Sequence, residues 1–77
     1  MPTIEKIDGT KIDIYPHEHP PPHFHALYAE FEELIEIETL ETYAGKIPGN
    51  KRKKVIAWAK ENRNILVDNF KRLNPNL

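Results

Sequence analysis

Residues 3–15 read TIEKIDGTKIDIY, the sequence pattern of a β-hairpin. Two runs rich in β-branched residues, at 3–7 and 10–15, flank the dipeptide Asp8-Gly9. Asp-Gly between two such runs favours a tight antiparallel turn, because both turn residues must accept a positive φ. The pattern therefore predicts two paired strands at the start of the chain.

Alternation of apolar and polar residues predicts further strands after a proline-rich loop. The loop, residues 16–22, reads PHEHPPP, and consecutive prolines favour polyproline II over a strand. Residues 23–28 and 31–38 both alternate, and residues 29–30 turn the chain between them. Residues 41–44 are interpreted as a short fifth strand. These segments predict an antiparallel meander of four or five strands.

After Pro48 the apolar period changes to that of a helix. Asn50 is the predicted N-cap and Asn74 the predicted stop, which gives one helix over about residues 50–73. Its apolar stripe consists of Val55, Ala59, Leu66, Phe70 and Leu73. Trp58 lies at the margin of this stripe and is expected to pack in the core.

The fold class that follows is α+β, a meander packed against one long C-terminal helix. Since domains usually run to about 100–150 residues, we expect a single domain over residues 1–77, rich in strands over 1–46. The absence of cysteine excludes disulfides, thiolate ligands and cysteine nucleophiles. No apolar run approaches the roughly 20 residues of a membrane span, and no signal-peptide pattern is present. We therefore expect a cytoplasmic protein that makes no membrane contact.

Charge is divided between the two parts of the chain, although the net charge is only −1. Residues 1–46 hold ten acidic and three basic residues, and residues 47–77 hold eight basic and two acidic ones. One interpretation is that the two parts neutralise each other within the fold. The other is a basic surface that contacts RNA, DNA or an acidic protein.

Four consecutive basic residues in the first predicted helical turn support the interpretation of a basic contact surface. Cations at a helix N-terminus oppose the helix dipole, so an anion bound there would account for them. The predicted anion or nucleic-acid contacts are Lys51, Arg52, Lys53 and Lys54. The alternative is that the fold tolerates their charge. Arg63, further along the helix, is expected to make a structural ion pair.

The histidines of the chain all fall within residues 17–25. They are His17, His19, His23 and His25. The last two are separated by one residue on a predicted strand, so their rings point to the same side. His19 is expected to reach the same region from the rigid loop.

This cluster is compatible with several kinds of chemistry. His19, His23 and His25 with a carboxylate, Glu18 or Glu30, would hold a divalent metal such as zinc, nickel or manganese. The same histidines with Glu18 would serve as catalytic acids and bases. Imidazolium groups would also bind phosphate. The structural alternative is that the rings pack on the prolines.

The segment EHPPPHFHALY, residues 18–28, resembles the bacterial domain-of-unknown-function 4160 family. The family motif is an acid–His dipeptide followed by Pro-Pro-His-Phe-His-Ala-x-Tyr, and the likeness extends over nearly the whole chain. The resemblance implies a compact α+β domain, often paired with a second small protein in what looks like a toxin–antitoxin module. It implies Glu18, His19, His23 and His25 as the functional residues.

The chain departs from the family pattern at three places. Gly49-Asn50 stands where members usually have arginines, and Asn62 stands where they tend to have histidine. Ala29-Glu30 replaces the usual Gly-Gly after the motif tyrosine. We therefore expect altered ligand contacts at the helix and an altered turn.

Three functional hypotheses follow. The first is a component of a two-protein bacterial module that binds a small protein partner, RNA or DNA, with exposed sheet edges that also permit a homo-oligomer. The second is a small ribonuclease-like toxin, in which Arg52 or Lys53 holds phosphate and the histidines act as acid and base. The third is a metal-binding module.

Overall fold

The chain folds into one antiparallel sheet backed by two C-terminal helices, as seen in a computed structural model that describes residues 3–75. The elements are β1 (Thr3–Ile7), β2 (Thr10–Asp13), β3 (His23–Tyr28), β4 (Phe31–Glu36), β5 (Thr42–Lys46), α1 (Gly49–Glu61) and α2 (Arg63–Leu73). The strands lie in sequence order, β1-β2-β3-β4-β5, each antiparallel to the next. The predicted α+β class is confirmed with five strands. The expected extent of the single domain includes residues 1, 2, 76 and 77, which lie outside the described residues.

Two tight turns set the register of the sheet. Asp8 and Gly9 have φ values of 48° and 84° and connect β1 to β2, as the sequence predicted. The β3–β4 turn also has two residues, and Ala29 occupies its left-handed position with φ 53°. A non-glycine residue is strained in this conformation. The fifth strand lies at 42–46 and not at the predicted 41–44.

One face of the sheet is buried against the helices. The core residues on the sheet side include Ile12, Ile14, Phe24, Ala26, Ile35 and Ile37, and those on the helix side include Val55, Ala59, Leu66 and Phe70. Trp58 packs against this core, as expected. The side chains of His23 and His25 alternate with Phe24 and Ala26, so they project from the other side of β3.

The predicted single helix over residues 50–73 is divided at Asn62, so that prediction is wrong in this respect. Asn62 leaves the helical conformation, with φ −125° and ψ 26°, and its side-chain amide donates to the Trp58 carbonyl at 2.8 Å. An asparagine side chain competes for backbone hydrogen bonds in this way, which interrupts a helix. The N-cap prediction is also wrong: α1 begins at Gly49 after Pro48, and Asn50 lies inside the helix.

None of the helices described within residues 3–75 combines the length and apolar character needed to cross a membrane.

Candidate metal centre

Strand β3 brings two imidazole rings together on one side of the sheet. The ring centroids of His23 and His25 are 5.5 Å apart, which confirms that the two rings share a side. The ring of Tyr43 stacks on His23, with a centroid distance of 5.5 Å, and Phe70 of α2 lies 5.7 Å from it. The His23 ring is therefore held in place by packing from β5 and α2.

His23 presents a bare nitrogen to the site. Its Nδ1 lies 2.8 Å from the carbonyl oxygen of Pro21. A carbonyl oxygen only accepts hydrogen bonds, so Nδ1 carries a proton, and in the neutral form of the ring the lone pair is on Nε2. His23 is only 3% exposed, so solvent does not reach Nε2, and this atom has no hydrogen-bond partner within residues 3–75. A buried polar atom without a partner is uncommon and indicates a missing ligand or a strained site.

His25 lies between two carboxylates. Its Nδ1 is 2.8 Å from Glu32 Oε2, and its Nε2 is 2.5 Å from Glu18 Oε1. The same Glu18 oxygen lies 3.6 Å from Nε2 of His23, beyond hydrogen-bond distance. Glu18 therefore faces both Nε2 atoms, while the far side of each ring is oriented by another acceptor, Pro21 or Glu32.

The loop that carries Glu18 is attached to the end of α2. The backbone N–H of Glu18 donates to Oδ1 of Asn74 at 2.8 Å. The side-chain amide of Asn74 donates in turn to the carbonyls of Tyr15 and Phe70, at 3.1 Å each. Asn74 thus fixes the loop on which Glu18 stands.

Tyr15 contributes a neutral wall to the site. Its ring meets His25 edge-on, with the centroids 4.6 Å apart, and its hydroxyl donates to Asp13 Oδ2 at 2.9 Å. Burial raises the pKa of Tyr15 to about 12, and the hydrogen bond to Asp13 and nearby carboxylate charges add to the effect. The phenol therefore stays protonated at neutral pH and is not an anionic ligand.

The ligand atoms of Glu18, His23 and His25 all lie within 4.8 Å of one another. Two of the three histidines predicted as metal ligands are thus brought together with Glu18, one of the two carboxylates predicted as the further ligand, while Glu30 is not part of the group. His19 is exposed and lies outside this group, as does His17. The cluster offers two imidazoles and one carboxylate at a shared point.

Two residues that support this cluster were missed at the sequence level. Glu32 lies on the same face of the sheet as His25. This position could have been predicted, because the two-residue turn fixes how β3 pairs with β4 and the alternation of each strand fixes which side chains share a face. Asn74 is 56 residues from Glu18 and carries no local signal for its role.

The predicted anion contacts at the start of α1 are largely engaged within the chain. Lys51 and Lys54 lie 2.8 Å and 3.0 Å from Asp8 Oδ2, and these hydrogen bonds hold the pKa of Asp8 below its usual value. Arg52 pairs with the buried Glu33 at 2.8 Å. Lys53 alone among the four has no ion pair within the described part of the chain. The interpretation that the two oppositely charged parts neutralise each other therefore accounts for three of the four.

Lys53 lies on the open side of α1. It lines a surface cleft of about 360 Å³ with Gly49, Arg52, Ile56, Ala57 and Lys60. Arg63, in contrast, donates from Nε to the Ile37 carbonyl at 3.0 Å and has no carboxylate within 4.0 Å among residues 3–75. The predicted ion pair of Arg63 is therefore wrong; the backbone carbonyl takes the place of an acidic partner.

Comparison with known proteins gives one match. A family model described as a domain of unknown function, DUF4160, matches residues 9–71, a span that includes the histidine cluster, all of α1 and most of α2. No curated protein and no solved structure shows a significant match to the chain. Because the matched span covers well over half of its length, the chain belongs to the DUF4160 family.

Proposed function

We propose that the protein binds a divalent transition-metal ion through Glu18, His23 and His25. The observation that carries the proposal is the buried Nε2 of His23, which faces a carboxylate and a second imidazole and has no hydrogen-bond partner among residues 3–75. Imidazole nitrogen and carboxylate oxygen are the ligands that zinc, nickel and manganese share. Zinc is the first ion to test.

The outer contacts of both rings support this proposal. Metal-binding histidines usually donate their second N–H to a backbone carbonyl or a carboxylate, which fixes the tautomer and the ring orientation. His23 has its second nitrogen on the Pro21 carbonyl, and His25 has its second nitrogen on Glu32. The His23 ring is therefore oriented by a backbone carbonyl and the His25 ring by a carboxylate.

The separations suit a small ion after a modest adjustment. Two ligands bound tetrahedrally at about 2.0–2.1 Å from zinc stand about 3.3 Å apart. The Glu18 oxygen is 3.6 Å from His23 Nε2, close to this value, and 2.5 Å from His25 Nε2, where the hydrogen bond would have to open. Metal binding therefore requires loss of that hydrogen bond, together with an adjustment of the two imidazole nitrogens, which lie within 4.8 Å of each other.

Three protein ligands leave a position for water or a substrate. Structural zinc sites usually have four protein ligands, whereas sites with three retain an open position and supply Lewis-acid chemistry when the ion is bound. A ribonuclease mechanism that relies on the histidines alone has less support. Both nitrogens of His25 already face carboxylates, and His19 is exposed and outside the group formed by Glu18, His23 and His25.

A second proposal concerns the basic surface of α1. Lys53 and Lys60 line the same cleft, which favours contact with an anionic partner, RNA, DNA or an acidic protein. The two-protein, toxin–antitoxin-like setting, the cytoplasmic location and the homo-oligomer remain predictions. Salt-dependent retention of the protein on RNA, abolished by Lys53→Ala with Lys60→Ala, is the expected result for this surface.

Zinc titration by calorimetry tests the metal proposal. The metal-stripped protein is expected to bind one zinc ion, and His23→Ala is expected to weaken the affinity by at least about 100-fold. His19→Ala is the matched control, since His19 is an exposed histidine next to Glu18 in the sequence and outside the ligand group, and the zinc affinity of this variant should be unchanged. Absence of binding by the wild type, or equal losses for the two variants, would refute the proposal.

A further inference from the structure

The last turn of α2 contacts the metal-binding cluster from two directions. Asn74 is only 6% exposed and accepts the backbone N–H of Glu18, while Phe70, one turn earlier, lies against the ring of His23. One ligand is therefore held through its backbone and another through ring packing. Both contacts depend on α2 being docked on the loop.

The side chain of Asn74 uses its acceptor and its donor in separate places. Oδ1 receives the hydrogen bond from the Glu18 N–H, and Nδ2 donates to the Tyr15 carbonyl on the same loop. Nδ2 also donates to the Phe70 carbonyl within α2. An asparagine amide has both groups on one planar unit, so the loop and the helix are clamped at a fixed distance. Alanine at this position would remove the whole clamp.

We propose that Asn74 is a positioning residue for the metal centre, which couples the docking of α2 to metal affinity. The inference rests on the proposed metal function. Asn74 bonds none of the three metal-binding atoms. It acts through the backbone N–H of Glu18, and this contact holds the Glu18 carboxylate opposite the two imidazoles. Supporting residues of this kind typically change metal affinity by about 10–100-fold when they are removed.

Coupling of this kind is reciprocal. If a docked α2 increases zinc affinity by a given factor, bound zinc must stabilise the docked α2 by the same factor. Metal binding should therefore slow hydrogen exchange in the last turn of α2, although no α2 residue supplies a ligand. A site formed by the loop and β3 alone would show no such effect.

The test compares Asn74, which caps the C-terminal end of α2, with Asn69, which lies within α2. Asn74→Ala is expected to weaken zinc binding by at least about 10-fold. Asn69→Ala is the matched control, because Asn69 also donates to the carbonyl four residues earlier, Ile65, at 2.8 Å, but does not touch the loop. Its zinc affinity should stay within about twofold of wild type, as for an ordinary surface substitution.

A double substitution separates positioning from general destabilisation. In a Glu18→Ala background, Asn74→Ala should cause a much smaller loss of zinc affinity than it causes alone, because the residue acts mainly through Glu18. An additive loss in the double variant would overturn the inference. So would a wild type that binds zinc together with an Asn74→Ala variant that binds equally well. A wild type that does not bind zinc overturns the proposed function itself.

Hydrogen exchange on the unmodified protein decides the matter if Asn74→Ala does not fold. Zinc is expected to slow exchange of the Glu18 amide and of the Asn74 amide, which donates to the Phe70 carbonyl at 2.9 Å. Amides in the middle of α1 serve as the internal reference. Protection confined to the loop and β3, with no change at the end of α2, would contradict the inference.

Discussion

Removal of the Arg52 side chain is expected to destabilise the fold strongly. Glu33 is 1% exposed, and its carboxylate receives hydrogen bonds from Arg52 Nε at 2.8 Å, Thr42 Oγ1 at 2.5 Å and the Ile47 backbone N–H at 3.1 Å. Glu33 of β4 thereby joins Arg52 of α1 to the first residue of β5 and to the residue that follows β5. In Arg52→Ala the buried charge loses its only ion-pair partner within residues 3–75.

The size of the effect follows from burial. Breaking a buried ion pair from one side costs about 3–5 kcal/mol. The Arg52 side chain is 32% exposed and two hydrogen bonds to Glu33 remain, so we expect the lower end of that range. A chain of this length has a free energy of unfolding of about 4–12 kcal/mol, and each kcal/mol lost lowers the Tm by roughly 4–8 °C. Arg52→Ala should therefore lower the Tm by at least about 12 °C.

Urea unfolding, followed by the fluorescence of Trp58, measures this loss. The matched control is Lys53→Ala, a neighbouring cation on the open side of α1, which should change the free energy of unfolding by at most about 0.5 kcal/mol. Adding Glu33→Gln to Arg52→Ala should restore part of the stability, because the unpaired charge is removed. Equal stabilities of the Arg52→Ala and Lys53→Ala variants would refute the structural role given to this pair.

Three further predictions concern a glycine in β5, the β3–β4 turn and a surface ion pair. Gly45→Ala should lower the free energy of unfolding by at least about 2 kcal/mol in urea titrations, because φ is 72° and a Cβ would stand 2.2 Å from a carbonyl oxygen of β4. Ala29→Gly should raise it by about 0.5–1 kcal/mol, because glycine relieves the left-handed turn position; no gain would contradict the strain. Hydrogen bonds from Lys51 and Lys54 hold the pKa of Asp8 below its usual value, so the stability that Asp8 contributes is present above that usual value and is lost as pH falls through the lower folded-state pKa. Unfolding measured over a pH series should therefore show the wild type more stable than Asp8→Asn at pH 7 and the difference vanishing in acid; a constant difference would argue against it.

Local patterns were sufficient for the strands because their causes are local. The Asp8-Gly9 turn and the two-residue spacing of His23 and His25 depend only on backbone conformation and side-chain alternation, and both were predicted. The break at Asn62 was not predicted, because Leu66 and Phe70 keep the helical apolar spacing on the far side of it and both are buried. A periodic stripe identifies buried positions but does not show whether one helix or two carries them.

The site could be predicted only in part for the same reason. Alternation along β4 already places Glu33 on the apolar face beside Ile35, which implies a buried charge in need of a cation, but nothing local selects Arg52 as that cation. His19 was expected to join the other rings. The path of the loop is instead fixed by Asn74, a contact across 56 residues that brings in Glu18 and leaves His19 at the surface.

Imidazole resonances, followed by NMR during a zinc titration of the ¹⁵N-labelled protein, test the metal site most directly. They report each ring and each nitrogen separately. We predict that the Nε2 resonances of His23 and His25 shift at one equivalent of zinc while both Nδ1 atoms keep their protons. The resonances of His17 and His19 should not change. A response from His19, coordination of His23 through Nδ1, or four unresponsive rings would contradict the assignment of Glu18, His23 and His25 as the metal ligands.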